Sequence, residues 1–254
     1  MSTTHSVVPG LPVTPASALV MAHERLLPVP AAFGPLFGVA EGVSDVPALM
    51  RGHTVACTGS AAVSCALAVL GSLTRSGSWA AVVGLPSLGV AAAYEVGVAF
   101  ERTVFVADPR RVTINGEIVD AATVVAALID GFEAVVIHPA IVTSIGASGM
   151  RRLQSRAHAV GAVLLIVGEQ QAASTDLCFT AETDHWEGVG IGHGHLRRRR
   201  VRLGLGGRRR GRVTHHDVWL PGVDGRVCPV VTNTEPVHES HSEDGVVVPF
   251  RRAG

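Results

Sequence analysis

The chain has 254 residues, with 21 basic and 21 acidic side chains and no formal net charge. Every basic residue is Arg, which excludes chemistry that needs an amine: a Schiff base, a lysine base, or the phosphate-binding lysine of a nucleotide loop. A hydrophobic share of 47% at this length suits one or two globular domains that need no disulfide or metal to hold them.

Residues 1–38 form a Pro/Gly-rich segment with one short helical stretch at 16–27, ended by Pro28, Pro30 and Pro35. No basic stretch precedes an apolar run there, so no signal peptide is expected. Residues 39–231 form the core. Its first part alternates apolar strands (55–58, 80–85, 103–106, 134–137, 162–167) with helices (61–73, 88–96, 121–130, 148–160). Asp120 is placed to cap the third helix, and Gly131 and Gly161 to stop the third and fourth. Continuous apolar strands between helices predict an α/β fold with a mostly parallel sheet covered on both faces. After Gly168 the pattern changes to short strands at 176–183, 199–205, 212–220 and 225–230, separated by glycines and read as antiparallel hairpins. Residues 232–254 form a tail, polar and acidic over 232–245 and expected to be disordered. The uncharged runs 52–74 and 76–94 have the length of a membrane span. Their polar residues and central glycines favour buried strand–helix pairs instead, so no membrane partner is expected.

A strand, a glycine and a helix at 55–73 set the scene for a phosphate-binding loop, G-x-x-x-x-G-K-[ST]. The string present is Gly59-Ser60-Ala61-Ala62-Val63-Ser64-Cys65-Ala66. Ser64 stands for the second glycine, Cys65 for the lysine, and Ala66 for the magnesium-binding hydroxyl. Cys57, Cys65, Cys178 and Cys228 form no C-x-x-C pair, so reduced thiols are expected. His193 and His195, with His185, His215 and His216 nearby, lack the spacing of a zinc site. No metal is expected.

The surroundings of the loop resemble the RecA recombinase family over residues 40–230. Leu49-Met50-Arg51-Gly52-His53-Thr54-Val55-Ala56-Cys57-Thr58-Gly59 is similar to its lead-in to the phosphate loop, and Ser76-Gly77-Ser78-Trp79-Ala80-Ala81-Val82-Val83 to its second core strand. Tyr94-Glu95-Val96-Gly97-Val98 is similar to the turn after its second helix, and Asp130-Gly131-Phe132-Glu133-Ala134-Val135-Val136-Ile137 to the approach to Walker B. The resemblance implies a RecA-like P-loop fold with C-terminal antiparallel strands. It places the family's catalytic Glu at Pro86, its Walker B Asp at His138 and its phosphate-sensing Gln at Gln170. With Lys, Asp and Glu missing, no catalytic residue, no nucleotide cofactor and no ATPase activity are expected. The degenerate remnant of a nucleotide site is Gly59, Ser60, Ser64, Cys65, Ala66, His138 and Gln170.

Within that superfamily the chain resembles the ImuA group in its actinobacterial form. The features are the worn loop, a short segment between Gln170 and Leu177, and Gly190-Ile191-Gly192-His193-Gly194-His195-Leu196-Arg197 ahead of an Arg-rich stretch. This implies a non-catalytic accessory of DNA-damage-induced translesion synthesis (SOS mutagenesis). Its partners would be an ImuB-like Y-family polymerase homologue and, indirectly, an error-prone replicative-type polymerase. Localisation would be cytoplasmic and nucleoid-associated; self-association stays open. Two other readings remain: a weakly nucleotide-dependent DNA-binding RecA paralogue, and an SOS-linked cell-division inhibitor.

Arg197, Arg198, Arg199, Arg200, Arg202, Arg208, Arg209, Arg210 and Arg212 lie in a stretch without any acid from 188 to 216. On a hairpin they form a local positive field facing DNA, an acidic partner surface, or only solvent. Trp186 and Trp219 flank them as exposed candidates for an interface, since Arg and Trp are the residue types that anchor interfaces.

Overall fold

The computed structural model describes residues 26–39, 47–85, 88–111, 113–114, 117–168, 174–190 and 193–230. Strand β1 (Leu26–Pro28) pairs antiparallel with β2 (Ala48–Met50). Between them lie a 3₁₀ turn, Ala31–Phe33, and the one-turn helix α1 (Gly34–Phe37). Leu26 and Leu27 therefore end the expected 16–27 helical stretch as strand, and the rest of that stretch lies outside the described residues.

The core then alternates as expected. Strand β3 (Thr54–Thr58) leads to α2 (Ala62–Arg75), β4 (Ala80–Val83) to α3 (Val90–Val96), and β5 (Thr103–Val106) to a two-residue hairpin pair, β6 (Thr113–Ile114) and β7 (Glu117–Ile118). Helix α4 (Ala121–Gly131), strand β8 (Ala134–Ile137), helix α5 (Pro139–Val160) and strand β9 (Val163–Val167) complete the α/β part. Strands β3, β4, β8 and β9 are buried at every position, as a sheet covered on both faces requires. Asp120 stands at the start of α4, but its side chain accepts no capping hydrogen bond.

Helix α5 begins at Pro139, earlier than the expected 148. His138 caps it by accepting from the Ala140 N–H at 3.1 Å, and Pro139 fixes the first-turn φ. Gly146 (φ 71°, ψ 169°) breaks the helical path inside α5, which is why the sequence pattern restarts at Ser148. Gly161 ends the helix in the left-handed region at φ 78°, as expected.

Strands β10 (Leu177–Gly190), β11 (His193–Gly206), β12 (Thr214–Trp219) and β13 (Cys228–Pro229) follow. The main sheet runs β13-β12-β11-β10-β3-β9-β8-β4-β5. From β10 to β5 every pairing is parallel; β11 to β13 join antiparallel. This is the mostly parallel RecA-like sheet with C-terminal antiparallel strands.

One face packs on α2, α3 and the N-terminal segment, and the other on α4 and α5. Leu27, Val29, Phe33 and Leu36 share the first core with Phe179, Leu203, Leu205 and Val218. Residues 26–37 thus cover the inner face of β10–β12 on the same side of the sheet as α2. Among the described residues no helix is long and apolar enough to cross a membrane.

Candidate functional site

In the parallel sheet, β10 pairs with β3 only over Leu177–Thr180, opposite Val55–Thr58. Beyond Thr180 the strand runs on past the end of β3, across the loop that leads into α2. That continuation decides the state of the degenerate phosphate loop.

Gly59 turns the chain at φ 94°, a conformation that favours glycine. A Cβ on it would lie 2.5 Å from the Ala181 carbonyl oxygen and 2.5 Å from Glu182 Oε1. The next residues are tied to the same strand. The Ser60 N–H and Oγ–H both donate to Glu182 Oε2, at 3.2 and 2.8 Å, and the Thr183 N–H donates to Ser60 Oγ at 2.8 Å. The Ala61 N–H donates to the Ala181 carbonyl at 2.9 Å. In a working loop such N–H groups cradle phosphate oxygens at the start of a helix. Here a carboxylate and a carbonyl of β10 take them.

The other remnant positions are equally committed. Ser64 Oγ accepts from Arg199 Nη2 of β11 at 2.6 Å, while Arg199 Nε donates to the Leu220 carbonyl at 2.8 Å. Burial lowers the pKa of Arg199 from its usual range. Cys65 and Ala66 face the core. Cys57 is also buried, and its thiol pKa is pushed well up by hydrogen bonding to the Cys65 side chain and by burial. His138 caps α5. Pro86 and Gln170 lie outside the described residues. The residues around this loop therefore do not fit a triphosphate with magnesium. The cradle is filled from within, and Cys65 offers no cation where phosphate charge would need one.

Glu182 is the residue that sequence reasoning missed. It lies inside an expected strand, 122 residues from Ser60, and has no local signal.

The arginine stretch is less open than its sequence suggests. Arg198 Nε donates to Glu187 Oε2 at 2.6 Å, and its guanidinium lies 3.9 Å over the Trp219 ring. Arg198 holds the Glu187 carboxyl below its ordinary pKa. Arg200 and Arg202 share Asp217 at 2.7 and 3.3 Å. Arg208 and Arg209 share Asp176 at 3.2 and 3.1 Å, and Arg210 Nη1 donates to the Leu36 carbonyl at 2.6 Å. Among the described residues only Arg197 and Arg212 of the nine lack such a contact. Trp219 is not exposed as expected: it is 8% accessible, whereas Trp186 is 42% accessible under the Arg199 guanidinium. The outer part of the β10–β11 hairpin also exposes Val189 and Leu196. Among the described residues, no three His, Cys, Asp or Glu side chains come together as metal ligands.

The Asp176 cluster at the far end of β3 has a pH consequence. Burial, the largest influence on Asp176, raises its pKa; the Thr54 N–H, Arg209 and His53 outweigh it and hold the carboxyl below 3.8. His53 is buried, and that burial lowers it below 6.5, aided by Arg209 and His158 and opposed by Asp176. Both native groups release protons more readily than their unfolded counterparts, so stability rises with pH across both ranges. The urea midpoint is expected to fall as pH drops below 6.5, and again below 3.8, the two ordinary values. His53→Gln is expected to flatten the upper step; an unchanged upper step in that variant would assign it to another group.

Comparison with known proteins gives three results. A family model described as the MT3502 N-terminal domain matches residues 42–172. The uncharacterized protein Rv3395c of Mycobacterium tuberculosis (strain ATCC 25618 / H37Rv) is 35% identical over 126 residues, covering 46% of this chain and 54% of that protein. The match thus spans about half the length of that curated relative. The crystal structure of the RadB recombinase superposes with a TM-score of 0.52 at 11% identity, over 79% of this chain and 97% of that one. At that identity the likeness concerns the fold, and it is the RecA-like fold described above. With the family model covering residues 42–172, this chain belongs to the MT3502 N-terminal domain family.

Proposed function

We propose that this chain is a non-catalytic RecA-like accessory protein of DNA-damage-induced mutagenic translesion synthesis. In this reading it binds an ImuB-like Y-family polymerase homologue and, through it, an error-prone replicative-type polymerase, in the cytoplasm at the nucleoid. The observation that carries the proposal is Glu182 on the Ser60 N–H and hydroxyl, with the Ala181 carbonyl on Ala61. A loop that spends its anion-binding groups on its own chain has no use for a nucleotide. The fold then serves as a scaffold, and its function rests on a surface.

The surface we assign is the outer β10–β11 hairpin. It offers Trp186, Val189 and Leu196 beside Arg197 on a stiff two-stranded arm, a mix that suits a protein partner. DNA contact is the lesser part of the proposal. Most of the arginines already meet carboxylates or carbonyls, so the stretch does not present a continuous row of free charges to a phosphate backbone.

Truncation is a poor test, because Val201, Leu203, Leu205 and Val218 of β11 and β12 lie in the core. Point changes avoid this. Capture of the polymerase homologue by Trp186→Ser/Leu196→Ser is expected to weaken at least about tenfold, the loss of one anchor contact. Its melting temperature should stay near that of the parent. Full-strength capture by a folded double variant would place the interface elsewhere.

A further inference from the structure

We infer that the C-terminal strands carry a phosphoryl-anion site formed by Arg200, Arg202 and His215, which the strand register places on one face of the sheet. The inference stands apart from the polymerase reading and from the degenerate loop. The core that packs on α4 and α5 draws its strand residues from β4, β8 and β9 and none from β10–β13, so those helices leave one face of the C-terminal strands uncovered. There, beside the end of β13, lies a concavity of about 660 Å³ lined by Arg200, Arg202, His215, His216, Asp217 and Val230. That is within the size range of small-ligand sites.

Its charge is uneven. Two guanidiniums share one lining carboxylate, Asp217, through Arg200 Nη2 at 2.7 Å and Arg202 Nε at 3.3 Å. Its hydrogen bonding is also incomplete. Among the described residues the buried Nε of Arg200, which lines this cavity, has no hydrogen-bond partner. Asp184 Oδ2, at 3.7 Å from Arg200 Nε, is too far to satisfy it. A buried donor without an acceptor is costly, and it marks where an acceptor belongs. The Arg202 side chain is 68% accessible and His215 is exposed, so both can close on a ligand. A phosphoryl group brings several acceptor oxygens to the two guanidiniums and the His215 imidazole; a single carboxylate brings two.

The ligand's phosphate has two sources, a small phosphate ester or a nucleic-acid backbone, and the test separates them. Inorganic phosphate, ribose 5-phosphate and a short oligothymidylate are titrated into the full chain. Binding is followed by calorimetry and by the NMR signals of His215. Saturable phosphate binding that shifts the His215 signals is expected. Arg202→Gln/His215→Gln is expected to weaken it about tenfold or more, as the loss of charge-assisted contacts implies, with the melting temperature kept. Arg212→Gln, at an exposed arginine outside the cavity, should bind like the parent. Displacement of phosphate by the oligothymidylate identifies the backbone as the source; displacement by ribose 5-phosphate alone identifies a small ester. Absence of saturable binding, or unchanged binding in the folded double variant, overturns the site. Neither result touches the polymerase reading, which is read out by capture of a different molecule.

Discussion

Replacing Gly59 by Ala is expected to destabilise the fold by about 2–4 kcal/mol, the combined cost of a strained backbone and a steric overlap. The residue sits at φ 94°, and its new methyl would meet the Ala181 carbonyl oxygen at 2.5 Å. That oxygen is main chain held in β10, so it cannot swing aside as a flexible side chain would. The strand has to lift from the loop, taking with it the Glu182 contacts to Ser60 and the Ala61–Ala181 hydrogen bond. Gly131→Ala is the matched control. It ends α4 with nothing within 4 Å of the added Cβ, and the change is expected to be neutral or slightly stabilising. Chemical denaturation of the two variants checks the difference. Equal midpoints would mean that β10 does not bear on the loop.

Phe179→Ala is expected to cost about 3–5 kcal/mol, the usual range for emptying a buried aromatic site. Phe179 is fully buried, with its ring centroid 5.7 Å from that of Phe33 and 6.2 Å from that of Phe37. It is the point where the N-terminal segment meets the C-terminal strands. Losing it should also loosen α1, whose Leu36 carbonyl accepts from Arg210 and from Thr214 Oγ1 at 2.6 and 2.8 Å. Limited proteolysis should therefore cut near residues 30–40 faster in the variant. Against a typical domain stability of roughly 5–15 kcal/mol, this loss is large. A cost below about 1 kcal/mol, the scale of an ordinary surface change, would contradict this packing.

What the sequence revealed divides along physical lines. The parallel strands were legible because burial on both faces demands unbroken runs such as Val163–Val167, and burial leaves a local mark. The worn loop was legible for the same reason: Cys65 and Ala66 stand at positions where the chemistry needs charge and hydroxyl. Helix α5 was read late because Gly146 interrupts its pattern, although Pro139 was a usable start signal. The hairpin was read short because Gly188, Gly190, Gly192 and Gly194 look like loop. Gly188 instead sits at φ 107° beside a register shift between Glu187 and Val189. The partners of the arginine stretch are the least legible part. Its acid-free run describes one strand and its turn, while the compensating Asp176, Glu187 and Asp217 come from outside that run. Pairings across strands, like that of Glu182 with Ser60, have no signature in local sequence.

This chain holds its own carboxylate, Glu182, where a working phosphate loop would hold phosphate. The most direct test is a calorimetric titration of the full chain with ATP and magnesium, alongside Glu182→Gln. The expected result is no saturable ATP binding dependent on Ser60 and Cys65, and no phosphate release with or without single-stranded DNA. Binding of one ATP per chain that is abolished by Ser60→Ala or Cys65→Ala would show that the loop still holds a nucleotide.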